Sequence, residues 1–178
     1  MTIVGAPELI EPARGDGAKA EDAFDLSADS PIFGSVDEFM AWKPASADED
    51  SPTLKAIRLY QDILTFHRND KEKSAFIDAD LWRLHFGKNK AVGEEKNERY
   101  KAPLQRFMNN WASHEISARA QFELANILKD EGASLEAHEL ARRGANLFPN
   151  SVGGRMCFNL VRQIEAKSAN ISTERVWN

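Results

Sequence analysis

Two stretches of this chain carry residue types that could do chemistry. The first is His138-Glu139, inside "SLEAHELARRGANLFPNS" at residues 134–151. A zinc-protease helix opens with the same pair, because histidines at i and i+4 face one metal ion with a glutamate between them as base. Position i+4 here is Arg142, a cation that repels a metal ion. The stretch therefore reads as a polar face of His138, Glu139, Arg142 and Arg143 around a buried Ala137 and Ala141 stripe.

The second stretch is Asp78-x-Asp80, with Asp62 and His67 on the preceding predicted helix. Paired carboxylates can hold Mg²⁺ or run acid–base chemistry. Residues i and i+2 of a helix point about 200° apart, so these two do not chelate one ion. One of them is expected to make a buried bond between helices, to Arg58, Lys55 or Tyr60. Cys157 lies on an apolar stripe and reads as a small core residue. Gly153-Gly154 follows a cap signal at Asn150-Ser151 and precedes nothing like the G-K-S/T of a phosphate loop. Trp82 and Trp111 read as core. The expectation is no catalytic residue, no metal ligand and no cofactor.

The elements that position these residues are helical. The chain has 178 residues, 42% hydrophobic and 29% charged, with a formal net charge of −5. That is ample for one domain, and the acidic balance argues against nucleic acid, which asks for a basic face. The single cysteine rules out an internal disulfide. No apolar run approaches the ~20 residues of a membrane span, and "MTIVGAPELIEPARG" lacks the pattern of a signal peptide. Residues 1–30, rich in Ala, Gly, Asp and Glu, read as an extended or partly disordered arm.

Ser35 with Glu38 is a capping box that starts a short helix over 36–42, stopped by Pro44. Asp48 to Asp50 reads as a solvated turn, and Asp50 or Ser51 caps the next helix with Pro52 at its first position. Over 54–67 the apolar surface is wide, which predicts packing on two sides. A helix over 74–86 follows a short turn and must be its antiparallel neighbour. "GKNKAVGEEKN" is the longest internal loop signal. A helix within 94–111 is kinked by Pro103 or starts near it. Helices over 117–131, 135–148 and 152–169 complete the set.

Residues 118–151 fit a period of about 34. Small side chains at Ala125, Ala137 and Gly144 let two helices approach. Phe122, Leu124, Leu128, Leu140 and Leu147 are expected to fill the sides, and Pro149 closes the unit. The pattern resembles a tetratricopeptide repeat, except that Gln121 stands where an aromatic is usual. Cys157, Leu160, Val161 and Ile164 continue it on the following helix. The fold expectation is all-α: antiparallel helical hairpins in a tetratricopeptide-like right-handed array of about six helices, over residues 31–170. First helices usually line the concave side of such an array, so Gln121, Glu123, Asn126 and Lys129 are the expected protein-contact surface.

After Ala169 the pattern changes. "ISTERVWN" alternates and carries β-branched residues, which predicts an exit strand over 171–178 leading towards a β domain beyond this chain. With that strand, "RLYQDILTFHRND", "AFIDADLWRL", "NERYKAPLQRF" and "IEAKSANISTERVWN" are similar to the helical N-terminal region of the large bacterial alpha-2-macroglobulin family. The resemblance covers about residues 30–178. It implies a tetratricopeptide-like region ahead of a first macroglobulin β-sandwich, in a parent at the periplasm or cell envelope implicated in protease trapping. The family's thioester uses a C-x-E-Q motif, and Cys157 is followed by Phe158, Asn159 and Leu160 instead. The expected function is thus a non-catalytic protein-interaction or scaffold module of an endopeptidase-inhibiting parent. Its expected partners are adjacent macroglobulin domains, an envelope protein or a protease, with no nucleic acid and no membrane insertion. Two alternatives stand beside it: a free-standing tetratricopeptide adaptor, and a helical metal-dependent enzyme using Asp78, Asp80, His67 or His85.

Overall fold

Polar caps start the first helices. The computed structural model describes residues 24–46 and 48–171, so most of the expected arm and residues 172–178 of the expected exit strand lie outside the described residues. Ser35 Oγ accepts the Glu38 N–H at 3.2 Å while the Glu38 carboxylate accepts the Ser35 N–H at 2.7 Å. This capping box opens α1 (Val36–Ala41) as the sequence predicts. Ser51 Oγ accepts the Leu54 N–H at 3.1 Å, and Pro52 takes the first position of α2 (Pro52–His67). Then follow α3 (Ser74–Lys90), α4 (Lys96–Asn110), α5 (Ser117–Asp130), α6 (Ser134–Leu147) and α7 (Val152–Ile171). Ile171, read as the start of a strand, is the last residue of α7. The described residues form an all-α array of helix-on-helix packing. Their one β feature is an isolated parallel bridge between Ser27 and Val92.

Short turns make α2 and α3, α5 and α6, and α6 and α7 antiparallel neighbours. The larger core runs through α1 to α5 and contains Phe39, Ile57, Leu64, Ile77, Leu84, Tyr100 and Leu104. A smaller core of Ala125, Ala137, Ala141, Cys157, Leu160 and Ile164 joins α5, α6 and α7. The small residues work as expected, by close approach. A Cβ on Gly144 would lie 2.7 Å from Cys157 Sγ, and one on Gly153 would lie 2.5 Å from the Arg119 backbone nitrogen.

One charged residue organises the larger core. Arg83 is 1% exposed. Its Nε donates to Asp80 at 2.7 Å, Nη1 to the Ile32 carbonyl at 2.8 Å and Nη2 to the Gly34 carbonyl at 3.1 Å. Its guanidinium lies 4.9 Å from the Phe39 ring centroid. Burial draws its pKa below the ordinary arginine value, and the Asp80 carboxylate opposes that fall. Arg106 of α4 adds a bond to the Phe33 carbonyl at 2.9 Å, and Gln61 of α2 donates to the carbonyls of Phe39 and Trp42 at 2.8 and 2.7 Å. The segment before α2 is thus tied to three helices through its own backbone.

Several expectations are corrected. The partner of Asp80 is Arg83 on its own helix, not Arg58, Lys55 or Tyr60 across an interface. The packed body begins before residue 31, since Leu26 and Ala28 are buried. The "GKNK" half of the expected loop belongs to α3, leaving only 91–95 as a connection; the link over 42–51 is longer. Gly87 reads as a loop residue but stands inside a helix, and it is a glycine because a Cβ there would meet Ile32 at 2.7 Å and Phe33 at 3.0 Å. Pro103 lies well inside α4 rather than at its start. The second apolar side of α2 finds no cover among the described residues, for Leu59 is 59% and Phe66 78% exposed.

Two stability predictions follow from this packing. Arg83→Met leaves the Asp80 carboxylate buried and unpaired and two carbonyls without donors. Denaturant unfolding should show a loss of roughly 3–5 kcal/mol. Gly87→Ala improves helix propensity by about 1 kcal/mol, yet the clash with Ile32 and Phe33 should outweigh it and lower Tm. A higher Tm would mean that α3 does not meet the 30–34 turn so closely.

Candidate protein-contact groove

α5 is flanked by α4 on one side and α6 on the other, and between those two helices its surface is left open. The result is a cavity of about 490 Å³, within the range of ligand-holding clefts. Gln121, Leu124 and Leu128 of α5 form the floor; at i, i+3 and i+7 they share one helix face. Lys101, Gln105 and Met108 of α4 form one wall. Glu136, Glu139, Leu140 and Arg143 of α6 form the other. Leu147 lines one end and is exposed, so it does not fill a helix side as expected.

Gln121 gives the groove its polar floor. The residue is 5% exposed, and its Oε1 has no hydrogen-bond partner among the described residues. That oxygen lies close to Gly144, where a Cβ would be 3.0 Å away. A buried acceptor left unsatisfied costs about 1–3 kcal/mol. Lys101 donates to Glu131 at 2.6 Å and to Glu98 at 2.8 Å, bonds that raise its pKa and keep it charged. Glu136, Glu139 and Arg143 make no ion pair among the described residues.

The four residues expected to form one contact surface divide. Gln121 alone lines the groove, and it is buried rather than presented. Glu123, two residues on and so about 200° away, turns to α3 and α4. Its carboxylate meets His85 Nδ1 at 3.3 Å and Lys88 Nζ at 4.0 Å and accepts the Tyr100 hydroxyl at 3.4 Å. Burial, reinforced by Glu123, pushes the Tyr100 phenol well above its ordinary pKa. Asn126 donates to the Phe122 carbonyl at 3.0 Å and accepts from Lys129 at 3.2 Å. The α6 wall was missed because His138, Glu139, Arg142 and Arg143 read as one polar face. Glu139 and Arg143, spaced i and i+4, line the groove, whereas His138 bonds Glu165 of α7 at 2.9 Å.

Most of the residues weighed for chemistry are engaged separately, and Asp62 is exposed on α2. His67 meets Asp70 at 2.7 Å, Asp78 meets Arg119 at 2.9 Å, and Asp80 is held by Arg83. Among the described residues no three His, Cys, Asp or Glu side chains gather as a metal site would need. Trp82 is not core: it is exposed, with the Arg119 guanidinium 4.7 Å from its ring centroid. Trp111 is half-buried, edge-on to Phe76 at 6.3 Å.

One pair escaped sequence reasoning because its members are forty residues apart: Ser74 Oγ lies 2.9 Å from His114 Nε2. The Ile116 N–H donates to His114 Nδ1 at 3.3 Å, so Nδ1 is the acceptor and Nε2 carries the proton. The serine hydroxyl in turn donates to Glu72 at 2.7 Å. A nucleophilic serine needs the opposite polarity, with the imidazole accepting its proton. The pair instead fastens the start of α3 to the link between α4 and α5.

Cys157 is fully buried, and its thiol donates to the Ala118 carbonyl at 3.3 Å. Burial pushes its pKa up to about 12. At pH 8 a thiol-disulfide reagent should leave the native protein unlabelled and should react fully once denaturant unfolds it. Rapid labelling of the native protein would contradict the packing of α5 against α7.

No family model, curated protein or solved structure matches this chain. No helix of the described residues is long and apolar enough to cross a membrane.

Proposed function

We propose that this chain is a non-catalytic protein-contact and scaffold module, a tetratricopeptide-like helical array that holds a segment of a partner polypeptide between α4 and α6. The observation that supports this reading is the open groove itself. Two helices stand apart over a third, and the floor between them carries a buried amide in line with Leu124 and Leu128. Apolar lining with a few placed polar groups is the make-up of a recognition cleft. Several other titratable groups are committed to ion pairs, Asp80 to Arg83 within α3 and Asp78 to Arg119 between α3 and α5.

The similarity of "RLYQDILTFHRND" and "IEAKSANISTERVWN" to the N-terminal region of bacterial alpha-2-macroglobulins supplies a setting. In that setting the module stands ahead of a β-sandwich in an envelope protein, and its partner is a neighbouring domain or a captured protease. The native gene tests the setting directly: a β-rich continuation after Asn178 supports it, and a stop codon there overturns it.

The groove is tested by photocrosslinking in the native cell. A benzophenone amino acid replaces Met108 or Leu140 on the two walls, and in controls Leu59 or Phe158 on exposed faces of α2 and α7. One polypeptide should crosslink from both wall positions and from neither control. Absence of any product specific to the walls would overturn the reading.

A further inference from the structure

α6 has two edges. One is the groove wall of Glu136, Glu139, Leu140 and Arg143. The other meets α7. α7 packs on α5 and α6, and its far side, from Arg155 through Phe158 and Arg162 to Ala166, is exposed. Two contacts fix how α6 and α7 lie side by side. A Cβ on Gly144 would lie 2.7 Å from Cys157 Sγ, and His138 Nε2 lies 2.9 Å from Glu165 Oε1. In this antiparallel register Phe158 comes level with Gly144 and Ala145, and Arg142 with the turn of α7 between Phe158 and Arg162. Phe158 and Glu165 are two turns apart on the edge of α7 that meets α6, as His138 and Arg142 are one turn apart on the edge of α6 that meets α7. Arg155 and Arg162 flank Phe158 at i−3 and i+4, on the same helix face.

Every charge on the two helices can be placed. Glu136, Glu139 and Arg143 line the groove, and Glu165 is bonded to His138. Lys167 lies about 140° round α7 from Arg162. What remains is Arg142, Arg155 and Arg162, all exposed. Arg155 donates to the Asn150 carbonyl at 2.7 Å, and the other two make no hydrogen bond or ion pair among the described residues. These cations surround a phenyl that is 55% exposed, in a chain of formal net charge −5.

The residue types say what such a face takes. A guanidinium fork matches a carboxylate with two parallel bonds. Proteins held to DNA through its backbone make about 6–10 phosphate contacts, and lipid-binding clusters carry about 4–8 basic residues. Arg142, Arg155 and Arg162 fall short of both. An aromatic centre with a charged rim is instead the make-up of a protein-contact patch, where Phe and Arg are enriched.

We propose that this outer face of α6 and α7 docks an acidic segment of a partner protein, with an apolar side chain on Phe158 and carboxylates on the arginines around it. Arg155 and Arg162 are seven residues apart, about 10 Å along α7 at 1.5 Å each. The carboxylates of the segment therefore stand about 10 Å apart, on either side of the apolar group. The groove lies on the opposite edge of α6, so this occupant is not the segment held there, and the proposal stands apart from that reading.

A random dodecapeptide library displayed on phage is the probe. It is selected on the full chain and counter-selected on the double variant Arg142→Glu with Arg162→Glu. Neither arginine bonds within the described fold, so the variant should keep its Tm. Enriched peptides should carry two Asp or Glu with an apolar residue between them. A synthetic copy titrated into ¹⁵N-labelled protein should shift the backbone amide signals of Phe158 and Arg162 and leave those of Leu124 and Leu140 in place. Phe158→Ser should weaken its binding at least tenfold, and salt of about 0.5 M should weaken it too, because exposed charges are screened. A selection that leaves no peptide, peptides without carboxylates, or unchanged affinity in Phe158→Ser would each overturn the proposal. Phosphatidylserine vesicles or a single-stranded thymidine 30-mer might compete for the same arginines; tighter binding of either, lost in the double variant, would overturn it in favour of a membrane or nucleic-acid surface.

Discussion

The buried guanidinium of Arg83 is the constraint from which the larger half of the molecule is arranged. A charge at 1% exposure is tolerable only when it is paired and hydrogen-bonded. Asp80 supplies one, and the carbonyls of Ile32 and Gly34 supply two more. Those carbonyls belong to a short segment with little regular structure, whose backbone polar groups need partners of their own. Arginine and turn thus satisfy each other. With the turn fixed, Ile32 and Phe33 are pressed on α3 at Gly87, where only a glycine leaves room.

The other half is held by the absence of side chains rather than by a charge. Ala125, Ala137, Ala141 and Gly144 bring α5 and α6 close, and Gly153 brings the start of α7 onto the backbone of α5. Dispersion at short range and burial of Cys157, Leu160 and Ile164 then stabilise three helices with few large residues. The groove is a by-product of the difference between these two modes. α4 is anchored to the Arg83 side of the core and α6 to the small-residue side, and α5 belongs to both. Its face between them has no helix to cover it, so Gln121, Leu124 and Leu128 become a floor.

Much of the fold was legible in local chemistry. The capping box at Ser35 and Glu38, the Ser51 cap with Pro52 and the small-residue spacing of 125, 137 and 144 each state a local geometry that no distant contact overrides. The glycine at 87 was misread for the opposite reason: Ile32 and Phe33, which it meets, are some fifty residues away, so it looked like a breaker. The aspartate at 80 looked for a neighbouring helix, whereas it pairs with Arg83 one turn on, whose other bonds run to the distant carbonyls of Ile32 and Gly34. Leu59 and Phe66 show the same limit in reverse: an apolar face signals burial, but whether another element arrives to cover it is not a local property.

The sequence by itself determined that the described residues are all-α, where the first helices start, and that α5 and α6 approach closely, because caps, periodicity and side-chain size act within a few residues. Only the tertiary structure decided what the polar residues do. Gln121 and Glu123 are two residues apart and were read as one surface, yet one is buried beneath a groove and the other bonds α3 and α4. Glu139 and Arg143 read as part of one polar face with His138, and they form a wall only because α4 stands opposite. A side chain's type limits the bonds it can make. Which bond it makes depends on the neighbour that packing brings within about 3 Å, and that neighbour is chosen by the whole chain.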